Sequence, residues 1–132
     1  RAELSDMHAT IVRGQEKSLL FLPDHDSWNQ TLEAHGCDSI RALLHKFSID
    51  VALLDGTFWS RGELKGRDMS VVPHPTVEES LNRLGPRRVG DPELHFIHLN
   101  HTNPLYNPQS EASSQLQASG WSIGYETQQF NL

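Results

Sequence analysis

The sequence predicts an α/β layered domain built on a mixed or largely parallel sheet. Three observations predict it. Apolar runs of strand length recur at Ser18–Leu22, Ile49–Leu54 and Leu94–Leu99. Segments with helical spacing of apolar residues separate the later runs. Each run then breaks off into a polar cluster, as strands do when their carboxyl ends line one edge of a sheet.

Taken in order, Ala9–Val12, a turn at Gly14–Lys17 and Ser18–Leu22 read as a hairpin. The second of these strands is continuously apolar, which predicts cover on both faces. It runs into Pro23-Asp24-His25-Asp26. The segment around Asn29–Leu32 reads as a short helix or a loop. Asp38 or Ser39 caps a helix whose core stripe is Ile40, Leu43, Leu44 and Phe47. Ile49–Leu54 is a second buried strand, ending at Asp55-Gly56-Thr57. Residues 60–73 read as a loop with a helical turn at Gly62–Lys65. Thr76-Val77-Glu78-Glu79 is a capping box in which Glu79 reaches back, and Gly85-Pro86 stops the helix that follows. A loop at 87–92 leads to a third buried strand containing His98 among Leu94, Phe96, Ile97 and Leu99. A helix at Ser110–Ser119, stopped by Gly120, and a last strand at Trp121–Tyr125 complete the chain.

With 132 residues the chain makes a single domain, residues 1–132, large enough for a real core. Its mean hydropathy of −0.51 fits a soluble protein. No apolar run approaches the roughly 20 residues that span a bilayer, so no membrane association is expected. Arg1-Ala2-Glu3-Leu4-Ser5 lacks the pattern of a signal peptide and reads as a chain entered midway. A net charge of −6 argues against nucleic acid as a partner. The single Cys37 excludes an internal disulfide and points to a cytoplasmic location.

The polar clusters Asp24-His25-Asp26, Asp55-Gly56-Thr57 and His98–Asn103, with His74 ahead of the capped helix, are placed to converge on one edge. Carboxylates and imidazoles together suit zinc, iron or manganese. The spacing carries little of this by itself, because aspartates at strand ends also serve as turn residues. His8, His35, His45 and His95 read as surface or partly buried residues. Cys37 reads as a small filler, and Trp28, Trp59 and Trp121 as core, with Trp59 beside the Asp55 turn.

At these residues the sequence resembles a family. Leu54-Asp55-Gly56-Thr57-Phe58-Trp59, Pro73-His74-Pro75-Thr76-Val77-Glu78-Glu79-Ser80 and Phe96-Ile97-His98-Leu99-Asn100-His101-Thr102-Asn103-Pro104 look like successive signatures of metallo-β-lactamase-fold proteins. The group they most resemble is that of pyrroloquinoline-quinone biosynthesis protein B. Leu19–Asp24 fits the preceding strand, and Gly120-Trp121 fits the tail. The resemblance implies the C-terminal half of a metallo-β-lactamase αβ/βα sandwich, a mixed sheet with covering helices, with the N-terminal half absent. The family's HxHxDH motif has no counterpart here.

By motif position, Asp24 resembles a carboxylate that bridges two metals, with Asp26 as the fallback, and His98 resembles the last ligand histidine. His74 resembles a histidine that assists proton transfer, and Asp55 a carboxylate that orients it. His101 is less secure, since related sequences carry asparagine there. The implied cofactor is a divalent metal, zinc with iron or manganese as alternatives. Asp24 and His98 are two ligands where a stable zinc site has three or four, so the site is incomplete. The implied function is part of a metal-dependent hydrolase-type enzyme, or a metal-dependent oxidation enzyme, acting on a small-molecule or peptide-derived substrate. Its partner is the missing N-terminal half or a second copy. The competing reading is a non-catalytic interaction module that docks through an uncovered sheet face.

Overall fold

The protein is described by a computed structural model covering residues 8–66, 68 and 71–132. The readings made at Arg1–Ser5, and at residues 67, 69 and 70 of the 60–73 loop, lie outside the described residues. Among the described residues, five strands form one sheet in sequence order: β1 (Thr10–Arg13), β2 (Ser18–Leu22), β3 (Val51–Asp55), β4 (Glu93–Ile97) and β5 (Ser122–Ile123). β1 and β2 are an antiparallel hairpin, closed by Gly14 N–H donating to Lys17 O at 2.9 Å. The remaining pairs are parallel. Parallel neighbours need crossovers, and helices supply them: α1 (Trp28–Ala34) and α2 (Ile40–Lys46), then α3 (Val77–Leu84), then α4 (Glu111–Ser119). The mixed sheet expected from the sequence is therefore present.

Local chemistry explains the helix boundaries. Ser27 caps α1 by accepting from Gln30 N–H at 3.4 Å, so the segment left as helix or loop is a helix. Ser39, rather than Asp38, caps α2 through Ala42 N–H at 3.1 Å. Thr76 caps α3 by accepting from Glu79 N–H at 3.1 Å. Glu79 does not complete the box, because its carboxylate takes the Arg83 guanidinium at 3.1 Å and faces Arg61 at 3.8 Å. The helical turn expected at Gly62–Lys65 is a series of turns and bends. The final strand shrinks from five residues to Ser122–Ile123.

The four α-helices of the described residues pack on one face of the sheet. Leu20, Leu22, Ala52, Leu54, Leu94 and Phe96 point into a single cluster with Trp28, Leu43, Val77 and Leu116. Burying each such side chain contributes about 1.5–3 kcal/mol. Trp28 also donates its indole N–H to Ser80 Oγ at 2.8 Å, which ties α1 to α3. The opposite face carries Leu19, Phe21, Val51, Leu53, His95 and Ile97, and it takes no helix of this cluster. Phe21 is 41% exposed, so the expectation that β2 is covered on both faces fails at that position. His95, expected near the surface, is buried between Ser122 Oγ at 2.8 Å and Glu93 Oε1 at 2.7 Å. His8, His35 and His45 are exposed as expected.

Arg41 on α2 clamps the other end of the sheet. It forms a two-pronged pair with Asp91 at 2.8 Å for both bonds, and it also donates to Leu84 O and Pro86 O. The Arg41 bond holds the Asp91 carboxyl below its ordinary value of 3.8. A carboxylate with a depressed folded pKa stabilises the fold above the unfolded value, and that stability is lost as pH falls through the folded value. Asp91→Asn is expected to cost about 1 kcal/mol at neutral pH. The gap between variant and wild type should close as urea titrations move below pH 3.8. A gap independent of pH would show that the charge is irrelevant.

Candidate functional site at the carboxyl edge of the sheet

β2, β3 and β4 run parallel, so their carboxyl ends deliver Asp24, Asp55 and His98 to one edge. Gly56 makes the close approach possible. A Cβ there would lie 2.9 Å from Phe96 Cβ, and its N–H donates to Ile97 O at 2.8 Å. The next residues are pinned by the loop after β4. Asn100 N–H donates to Thr57 O at 2.9 Å, and buried Asn103 donates to Gly56 O at 2.8 Å.

β4 ends at Ile97, so His98 is not the strand residue that the apolar pattern suggested. Its backbone turns into the left-handed region, φ 61°. Asp24 does the same after β2, φ 53°. Residues other than glycine seldom take this conformation, and it costs of order 1 kcal/mol or more unless local contacts compensate. Both candidate metal ligands therefore sit on strained turns at the ends of strands. No feature of hydrophobic patterning announces that.

Asp55 is the hub. It is 2% exposed, and its two oxygens collect four donors. Oδ1 accepts from Thr57 Oγ1–H at 2.7 Å, from His98 Nδ1–H at 3.1 Å and from Asp24 N–H at 3.3 Å. Oδ2 accepts from His74 Nδ1–H at 2.9 Å. His98 Nδ1 lies 3.0 Å from Thr57 Oγ1 and 3.1 Å from Asp55 Oδ1; where Nδ1 donates to that pair, Nε2 carries the free lone pair, the tautomer that ligates a cation. His74 turns Nε2 toward Asp24 Oδ1 at 3.4 Å, so it stands between two carboxylates. Phe58 packs edge-on against the His74 ring at 5.9 Å.

The structure thus brings together Asp24, Asp55, His74 and His98. It leaves His101 exposed on a turn and Asp26 further along, toward α1. His25, in the same cluster by sequence, is packed away: Nε2 meets Thr31 Oγ1 at 2.7 Å and the ring stands edge-on to Trp28 at 4.4 Å. Burial lowers its pKa below 6.5, against the opposing pull of Asp55. Thr57 was missed as a site residue. The available signal was a hydroxyl two positions after a strand-end carboxylate.

The donor set falls short of a complete metal site. Among the described residues no three His, Cys, Asp or Glu groups gather to hold an ion. Asp24 and His98 offer two ligating groups, fewer than zinc ordinarily takes from protein.

A single sheet with its helices on one face and polar residues gathered at one end fits one layer of a metallo-β-lactamase sandwich, as the resemblance implies. The chain shares this fold with part of zinc-bound PqqB from Methylobacterium extorquens, at a TM-score of 0.53 and 18% identity, over 94% of this chain and 40% of that one. In sequence it is similar to coenzyme PQQ synthesis protein B. The Xanthomonas oryzae pv. oryzae protein is 29% identical over 132 residues, 87% of this chain and 41% of the relative. The Acinetobacter baumannii protein is 27% identical over 123 residues, 86% of this chain and 40% of the relative. The chain spans about two fifths of the length of these curated relatives. No family model matches it. Among the described residues no helix is long and apolar enough to cross a membrane.

Proposed function

We propose that this chain supplies one wall of a metal-dependent, hydrolase-type site in a longer protein similar to coenzyme PQQ synthesis protein B, acting in cofactor biosynthesis. The observation that carries the reading is the pairing of Asp24 and His98, both on left-handed turns and both bonded to the single buried carboxylate of Asp55. In this reading Asp24 and His98 are metal ligands, zinc being the first choice beside iron and manganese. His74 is the proton carrier that Asp55 orients. The remaining ligands come from a further part of the fold or from a second copy. The substrate is a small molecule or a peptide-derived one, handled in the cytoplasm, without nucleic acid or membrane.

Calorimetric titration of the 132-residue chain with zinc is the test. Two ligands predict a Kd no tighter than about 0.1 mM, since high affinity needs a closed ligand set. Tight one-to-one binding would overturn the idea of an incomplete wall. The reading frame upstream of Arg1 supplies the second check: an HxHxDH motif supports the proposal, and its absence removes the missing ligands.

A further inference from the structure

His98 is the half-exposed member of the edge cluster, with a side chain 48% exposed. Its ring meets that of His74 only at a distance, 6.3 Å between centroids. Packing does little to orient such a ring, so its hydrogen bonds do. Two oxygens stand at its Nδ1, Thr57 Oγ1 at 3.0 Å and Asp55 Oδ1 at 3.1 Å. Thr57 is firmly placed there. It is buried, and its carbonyl accepts from Asn100 N–H at 2.9 Å and from Asn103 Nδ2–H at 3.3 Å. Both donors belong to the loop that follows β4 and begins at His98, so the hydroxyl has a fixed place beside the ring.

The hydrogens in this cluster can be counted. Thr57 Oγ1 lies 2.7 Å from Asp55 Oδ1, and an ionised carboxylate only accepts, so the hydrogen between them belongs to the hydroxyl. A hydroxyl has one hydrogen to donate. Toward His98 the same oxygen can therefore only accept, which places a hydrogen on Nδ1. The reverse arrangement, with Thr57 donating to Nδ1, would leave two oxygens 2.7 Å apart with no hydrogen between them. Asp55 Oδ1 alone is a poorer seat, because it already takes Thr57 O–H and the Asp24 N–H at 3.3 Å. We infer that Thr57 is a positioning residue: its hydroxyl, committed to Asp55, holds His98 as the Nδ1–H tautomer and leaves the lone pair on Nε2. The tautomer follows from the hydrogen count; that Nε2 then meets a metal rests on the function proposed above.

Nitrogen NMR of the full chain carrying isotope-labelled histidine tests this without metal. At about pH 8.5 an ordinary imidazole is neutral, and ring correlations then tell a protonated nitrogen from a bare one. The His98 signals are those lost in His98→Asn. The parent is expected to show a protonated Nδ1 and a bare Nε2. Thr57→Val puts a methyl, which accepts nothing, in place of the hydroxyl, and with a cost of about 1 kcal/mol it should stay folded. Its His98 pattern should shift toward a protonated Nε2, and Thr57→Ser, which keeps the hydroxyl, should retain the parental one. A residue that served only the fold would move Tm and leave the tautomer unchanged. A parent protonated on Nε2, or a Thr57→Val with the parental pattern, overturns the inference. Zinc added to the labelled parent at neutral pH gives the separate check. An unperturbed Nε2 in a protein with the expected tautomer counts against the ligand role and leaves the role of Thr57 standing.

Discussion

Asp55→Asn is expected to lower the stability of the chain by about 2–4 kcal/mol, the usual range when a buried charged acceptor is lost to several donors. For a domain of this size that corresponds to a fall in Tm of roughly 8–15 °C. The carboxylate takes Thr57, His98 and the Asp24 amide on one oxygen and His74 on the other. Asparagine keeps the shape but offers one acceptor. Its amide hydrogens meet a donor on the other side, so either His74 or the Thr57–His98 pair loses its partner. Thr57→Val is the control. It removes one neutral hydroxyl and should cost about 1 kcal/mol. A Tm for Asp55→Asn within about 2 °C of wild type would mean that the bonds to Asp55 contribute little to stability.

The legible parts of this fold were those set by short-range patterns. The hairpin, the α2 stripe, the Thr76 cap and three of the four parallel strands all follow from spacing and capping chemistry within a dozen residues. The site was legible in its membership but not in its wiring. Asp55 looked like a partner for His74, and it also holds His98 and Thr57, contacts that span 43 and 2 residues. The left-handed backbone at Asp24 and His98 depends on where β3 delivers Asp55, and no local pattern encodes that. His95 shows the same limit. Its burial comes from Ser122, Gln128 and Phe130, all more than 25 positions away. The helix-free face was misread at Phe21 for a related reason, since an apolar run reports what a strand avoids and not what covers it.

In the longer protein proposed here, Asp24→Ala and His98→Ala are each expected to reduce turnover by about a thousandfold or more, the several kcal/mol that a catalytic cation supplies. Neither change should unfold the chain. His98 has a 48% exposed side chain and Asp24 a 32% exposed one, so each removal leaves solvent rather than a cavity. Alanine sits less comfortably than aspartate or histidine in a left-handed turn, and Asp24→Asn and His98→Asn separate that backbone cost from the loss of a ligand. Asparagine tolerates positive φ well. If the asparagine variants keep their Tm and their metal content falls together with kcat, ligation is the lost property. His74→Ala should differ in kind: a loss of about a hundredfold to ten-thousandfold, with metal retained and the pH–rate profile altered, as for a proton carrier. His101→Ala should be silent, because its side chain is exposed outside the Asp55 cluster. Normal turnover in Asp24→Ala or His98→Ala would remove both from the metal site.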